Sequence, residues 1–254
     1  MKKNLNTTWT TLTGVRTYNG ELNIMETLSA MKLSKETIDI LKNFASINSN
    51  ILVKPGNVVK TISPVKNVMA QTTVPETFDV EFGIWDMNKF LGTISLFDDP
   101  EFHFEDNHVT ISGSNGTKVT YYYSEPKLLT TINKDISMPD AVVSFELKNN
   151  DFAELQKAAS VLQLPDLCLR TNSGKMELVA MDKKDSTSNN FSIDMGVLPH
   201  DDNDFEFYFK VENLKLLPGN YDVEVTDKVV SKFTNQDLDL CYWIALESDS
   251  RYDG

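Results

Sequence analysis

Residues 31–50 read MKLSKETIDILKNFASINSN. Stepping about 100° per residue from Ile38 puts Ile38, Ile40, Leu41, Phe44, Ala45 and Ile47 on one half of a helical wheel. Lys35, Glu36, Asp39, Lys42, Asn43, Ser46 and Ser49 fall on the other half. Ser34 is placed to cap the start, and Thr37 stands where a capping box wants Glu or Gln. So wide an apolar half wants to lie on a sheet, leaving a polar face with two lysines turned away from the core.

Around that helix the pattern is one of short strands. Asn50–Val53, the turn Pro55-Gly56-Asn57 and Val58–Ile62 read as a strand pair, with a further pair over Val65–Thr73. Residues 78–84, FDVEFGI, alternate cleanly and predict one half-buried strand. Asp86 is placed to cap a short helix, Met87–Leu96, with Met87, Phe90, Leu91 and Ile94 inward. Glu101–Phe104, Val109–Ser112 and Lys118–Tyr123 form a meander. Residues 124–139 carry two prolines and an exposed-looking apolar group, Leu128, Leu129 and Ile132, and read as a connector.

The order then restarts. Val142–Leu147 is a strand and Asp151–Gln163 a helix. Cys168–Thr171 and Met176–Met181 form a hairpin across Asn172-Ser173-Gly174, and Phe191–Val197 follows. An acidic loop at Asp201–Asp204 leads into the strand Phe205–Phe209 and a short helix, Val211–Leu217, stopped by Pro218-Gly219. Tyr221–Thr226, Val229–Phe233 and Leu238–Leu246 complete the count. ILKNFAS at 40–46 aligns with ELQKAAS at 154–160, and FDVEFGIWDMNKFL at 78–91 with FEFYFKVENLKLL at 205–217. The class is α+β, organised as a duplicated unit: residues 31–123, a connector at 124–139, and residues 140–254. Residues 1–30, Thr- and Asn-rich and without periodicity, read as a flexible arm or as the result of an upstream start codon.

Composition narrows function by exclusion. At 254 residues and 41% hydrophobic the chain buries a core. No run approaches the roughly 18 apolar residues of a membrane span, and MKKNLNTTWTTLTG lacks the apolar segment of a secretory signal. A net charge of −13 argues against binding nucleic acid through the whole surface. Cys168 and Cys241 lie far apart and read as free thiols of a reducing compartment. His103 and His108 share a hairpin without further metal ligands in view, and Gly113-Ser-Asn-Gly116-Thr-Lys118 lacks the spacing of a phosphate loop. Neither a cofactor site nor a catalytic triad is suggested by spacing.

Residues 31–57, MKLSKETIDILKNFASINSNILVKPGN, are similar to the opening of the sliding clamps of large tailed bacteriophages, the processivity factors of the replicative DNA polymerase. The resemblance continues through FDVEFGIWDMNKFLGTISL, ENLKLLPGNYDVEV and the ending YWIALESDSRYDG, and so covers Met31 to Gly254. It implies the DNA clamp fold: two similar domains, each with two helices packed on antiparallel sheets, and three subunits closed head to tail into a ring around duplex DNA. It implies a protein without catalytic activity that acts in the cytoplasm of the infected bacterial host. Its expected partners are the DNA polymerase, an ATP-driven clamp loader and the late viral transcription machinery. The lysines expected to face DNA are Lys35, Lys42, Lys89, Lys157, Lys210 and Lys215; against them the same helices carry Glu36, Asp39, Asp86, Asp151, Glu154 and Glu212, so the hole is expected to be near neutral. Partner tails are expected to dock at Leu128, Leu129 and Ile132 of the connector, with Ile244 and Leu246. The alternatives are a phage structural or tail ring protein, which duplicated β-rich domains also build, and a small hydrolase, which the absent motifs disfavour.

Overall fold

The computed structural model describes residues 30–132, 137–197, 204–227 and 230–253. The N-terminal arm, His200 and most of the acidic loop lie outside the described residues. No helix among those described is long and apolar enough to cross a membrane.

Helix α1 (Lys35–Ile47) buries Ile40, Leu41, Phe44, Ala45 and Ile47 as expected, and differs only at its start, where Thr37 is inside and Ile38 half-buried. The Thr37 N–H donates to Ser34 Oγ at 3.1 Å, the expected cap. The carboxylate that a capping box would take from within the helix comes instead from Glu76, which accepts from the Ser34 N–H and from Thr37 Oγ1.

Strands β1 (Ile51–Val53), β2 (Gly56–Ile62), β3 (Val68–Phe78) and β4 (Phe82–Ile84) follow. The single strand expected over 78–84 is therefore two strands in different sheets. β3 pairs with β2 as far as Phe78, whereas β4 pairs with β1, Ile51 opposite Ile84, so the chain must change sheets across Asp79-Val80-Glu81. Alternating apolar residues on both sides of the break hide it from a periodicity argument. α2 (Met87–Ile94) starts as expected, Asp86 Oδ1 accepting from the Lys89 N–H at 2.9 Å. The meander β5 (Glu101–Phe104), β6 (His108–Ser112) and β7 (Lys118–Tyr122) forms a three-stranded sheet, and Met31 bridges to Phe102 at its side.

The second half repeats this order. β8 (Val143–Leu147) precedes α3 (Asn149–Leu162). Then come β9 (Asp166–Asn172), β10 (Lys175–Met181), β11 (Phe191–Val197) and β12 (Asp204–Lys210). β12 pairs with β9 as β4 pairs with β1. β13 (Tyr221–Val225), β14 (Val230–Asn235) and β15 (Leu240–Ala245) form the counterpart of the β5–β7 meander, and β8 beside β13 enlarges the Met31–Phe102 bridge. The hairpin between β9 and β10 turns through Ser173 and Gly174 at φ +53° and +77°, the left-handed pair that a tight two-residue turn requires.

Val211–Leu217 is not a helix but one 3-10 turn, Val211–Asn213, followed by extended chain. The bonds an α-helix would make are absent: the Leu214 N–H donates to Val211 O and the Lys215 N–H to Asn213 O, and the carbonyls of Leu214, Lys215 and Leu217 accept from the side chains of Gln156, Asn43 and Tyr221. So the two halves do not carry two helices each; the second has α3 and a turn. β16 (Arg251–Asp253), too short to show a periodicity, adds to the edge of β12.

The halves share one sheet, of order β2-β3-β15-β14-β13-β8. β3 and β15 run antiparallel across the boundary, Ala70 opposite Tyr242 and Val68 opposite Ile244. Ile244, Tyr242, Ala70 and Val68 are all buried, so the apolar core runs through the junction unbroken.

Candidate functional site

Functional residues gather on a polar face of the helices, in a cavity beside the connector, and along the end strands β7 and β11.

On α1 the face turned from the core holds Lys35 and Lys42 around Asp39. The Lys35 Nζ–Asp39 Oδ2 distance is 2.5 Å and Lys42 Nζ–Asp39 Oδ1 3.3 Å, and the hydrogen bond from Lys35 outweighs the residual desolvation and holds the Asp39 carboxyl below its usual range. Lys35 remains 90% exposed in spite of this contact, so the pairs are weak and their charge is offered to solvent. Lys89 on α2 and Lys157 on α3 are exposed, and among the described residues neither ammonium has an ion-pair partner.

The other two expected lysines are otherwise engaged. Lys210 ends β12 and its Nζ lies 2.5 Å from Oδ1 of Asp166, a carboxylate only 1% exposed. Hydrogen bonding to Asp166 raises the Lys210 pKa, and Glu247 at 3.8 Å adds to the effect. Lys210 therefore compensates a buried charge. Lys215 is exposed and donates to the carbonyl of Ser46 at the end of α1.

That contact belongs to a clip across the two halves. Asn43 Nδ2 donates to Lys215 O at 2.9 Å, and the buried Tyr242 hydroxyl donates to Asn43 Oδ1 at 2.8 Å while accepting from the Leu217 N–H at 3.1 Å. Asn67 Nδ2 donates to Asn213 Oδ1 at 3.1 Å nearby. None of these partners is readable from helical or strand periodicity, since they pair residues as much as 199 positions apart.

The connector lies on the first half. The Ser124 N–H donates to Gly83 O at 2.8 Å, and a Cβ on residue 83 would stand 2.6 Å from both Ser124 O and Leu129 Cδ1, so only glycine admits this approach. Leu129 is accordingly buried, not exposed as expected; Leu128 is 59% exposed and Ile132 half-buried. Ile244 and Leu246 are buried in the core and offer no free surface. Beside the connector, where Thr130 N donates to Asn50 Oδ1, opens a cavity of about 150 Å³. Its walls include Ile51, Pro55, Val58 and Ile132, with Lys54 and Lys60 also lining it. Of the five expected docking residues, Ile132 lines this cavity; Pro55, Val58 and Lys54 were missed, because on their own strand they look like ordinary turn and surface residues.

β7 and β11 each stand at one end of their sheet, with β5 and β16 at the opposite ends. β15, the counterpart of β7, buries Leu240, Tyr242 and Ile244 in alternation, and β3, the counterpart of β11, buries Val68, Ala70, Thr72 and Val74. β7 buries no residue, and neither do residues 191–196 of β11. The helix ends tell the same story. Ile47, last in α1, is 4% exposed, while Val161, its counterpart in the 40–46/154–160 alignment, is 73% exposed.

Residues 34–129 match the family described as DNA polymerase processivity factor, and residues 144–248 the family described as gp45 sliding clamp, C terminal. The sliding clamp of Vibrio phage KVP40 is 33% identical over 223 residues, covering 86% of this chain and all of that protein. Those of Escherichia phage RB69 and Enterobacteria phage T4 are 33% and 31% identical over 230 residues, each covering 88% of this chain and all of the relative. Among solved structures, PCNA of A. fulgidus, in a structure with the C-terminal region of FEN-1 bound, superposes with a TM-score of 0.64 at 12% identity, over 87% of this chain and 98% of that one. The H. pylori beta clamp superposes with a TM-score of 0.65 at 10% identity, over 90% of this chain and 68% of that one. The fold is thus the DNA clamp fold, a structural or tail-protein reading finds no support, and the chain belongs to the sliding-clamp family of T4-like phages, the DNA polymerase processivity factors.

Proposed function

We propose that this sliding clamp works as a ring of three copies, closed by pairing β7 of one copy with β11 of the next. The observation that carries this is the repeat of a junction. Within the chain, the end strand of one meander, β15, pairs with β3 of the other half. The second meander ends in β7 and the second outer sheet in β11, and both lack the cover that their counterparts have. A head-to-tail contact of this kind is heterologous and forms a ring when its rotation closes. Residues 31–123 and 140–254 act as its two similar domains, with 124–139 as connector.

The hole is lined by α1, α2 and α3, with Lys35, Lys42, Lys89 and Lys157 toward duplex DNA. Lysines paired loosely with acids, or unpaired, attract phosphate without reading sequence, which suits a protein that must slide. Lys210 is withdrawn from this set, and Lys215 contributes through the charge it leaves exposed beside α1. The apolar cavity beside the connector receives the tail of the DNA polymerase, with Ile132, Val58 and Pro55 as walls. The same pocket serves the ATP-driven clamp loader and late transcription factors in turn, in the cytoplasm of the infected host. The A. fulgidus PCNA structure, with a partner's C-terminal region bound, supports tail docking as a mode open to this fold.

The test is primer extension on a long single-stranded template by the cognate polymerase. Adding this protein with its loader and ATP should lengthen the products of a single binding event, and Ile132→Asp should abolish the gain. Unchanged product length with the wild-type protein would overturn the reading.

A further inference from the structure

The two junctions of the ring differ in one respect that bears on when it closes. At the junction inside the chain, α1 meets the segment after β12 through Asn43, which donates to Lys215 O, and through Lys215, which reaches Ser46 O. In the repeat, Asn43 aligns with Lys157 and Ser46 with Ser160. The alignment is sound in burial: Leu41 and Leu155 are both buried, as are Ala45 and Ala159. On the other side KLL at 215–217 aligns with KFL at 89–91, and Leu216 and Phe90 are both buried. If copies meet as the halves do, an amide is replaced by an ammonium at this place, and Lys157 of one copy stands opposite Lys89 of the next, carried there by α2 where the internal junction has extended chain.

Both ammoniums lack an ion-pair partner among the described residues. The carboxylates within one helical turn do not relieve them. Asp86 caps α2 through the Lys89 N–H, and Glu154 is exposed and makes no ion pair with Lys157. Like charges brought together at a partly desolvated junction oppose its closure, and an anion between them reverses the sign.

We infer that Lys157 of one copy and Lys89 of the next form a two-ammonium site for a phosphodiester group, so that the backbone of enclosed DNA draws the subunit junction shut and an empty ring is held less tightly. This rests on the ring reading above. It differs from a general attraction between helices and DNA in assigning these two lysines to assembly as well.

The experiment is the self-association constant of the full chain, measured by sedimentation equilibrium at low and at moderate NaCl, with and without a short DNA duplex as the phosphate probe. The wild type should assemble more tightly as salt rises and when duplex is added. Lys157→Asn, which installs the residue of the internal junction, should tighten assembly at low salt by roughly fivefold and remove most of both responses. Lys157→Glu should tighten it further, and the double variant Lys89→Glu/Lys157→Glu should return it toward the wild type, because the repulsion is restored with its sign changed. If Lys157→Asn and Lys157→Glu leave association unchanged or weaken it while Val161→Asp still abolishes it, this inference is overturned and the ring stands. If Val161→Asp has no effect on assembly, the ring reading falls, and this site with it.

Discussion

Tyr242 on β15 donates its hydroxyl to Asn43 on α1 at 2.8 Å, joining a central strand of the shared sheet to α1. The same oxygen accepts from the Leu217 N–H, so one buried hydroxyl holds α1, β15 and the segment after β12 in register. This makes the chain-internal junction a rigid template. Removing the hydroxyl with Tyr242→Phe strips a donor from Asn43 and an acceptor from Leu217 in a buried site. The expected loss is about 1–3 kcal/mol of unfolding free energy, read by urea denaturation.

Glu76 gives the clearest pH dependence. Burial raises its pKa, but the hydrogen bonds from Thr37 Oγ1 and the Ser34 N–H together outweigh burial and leave it below the ordinary value of 4.5. A carboxylate depressed in the folded state contributes its full stability above its unfolded pKa and loses it as pH falls through the folded value. Glu76→Ala should therefore cost stability at neutral pH, by about 1–2 kcal/mol for the lost cap. The difference between variant and wild type should shrink as the pH is taken below 4.5, which denaturation midpoints at several pH values will show.

Lys210 and Lys35 should respond oppositely, although both were expected to face DNA. Lys210→Ala strands the buried Asp166 carboxylate and should destabilise the chain by about 3 kcal/mol. The double variant Lys210→Met/Asp166→Leu should regain much of this. Lys35→Glu with Lys42→Glu should leave unfolding nearly unchanged, since these residues are exposed, but should shorten the residence of the loaded clamp on DNA and flatten its salt dependence.

Leu128 and Leu129, adjacent in sequence, also separate. Leu129 anchors the connector against Gly83, so Leu129→Ala should cost about 2–4 kcal/mol in stability. Leu128→Ala, at an exposed site, should be within about 0.5 kcal/mol of wild type. Gly83→Ala should behave like Leu129→Ala, because the added Cβ displaces the connector.

What could be read from the sequence follows from which forces are local. α1 and α2 declare themselves by apolar periodicity and by Ser34 and Asp86 at their caps, all within a few residues. The β5–β7 meander and the β9–β10 hairpin are likewise local, and their bounds fall within a residue or two of expectation. Val211–Leu217 misleads because its helical pattern is real but the chain runs extended past Asn213, where Gln156 and Asn43, from distant positions, hold the carbonyls of Leu214 and Lys215. The break between β3 and β4 misleads because both strands are apolar and only the choice of partner separates them. Lys210 looked like a helix-face lysine for want of the helix, and its partner Asp166 lies 44 residues upstream. Val161 could have been found: aligned with the buried Ile47, an apolar residue on the open end of α3 is a signal for a missing neighbour.

Retention on circular against linear DNA tests the central claim most directly. A clamp loaded onto a nicked circular duplex should remain bound through gel filtration at moderate salt, and should be lost when a single restriction cut linearises the circle, because closure and not affinity holds it. Loss at equal rates from circular and linear DNA, or retention after cutting, would contradict the account.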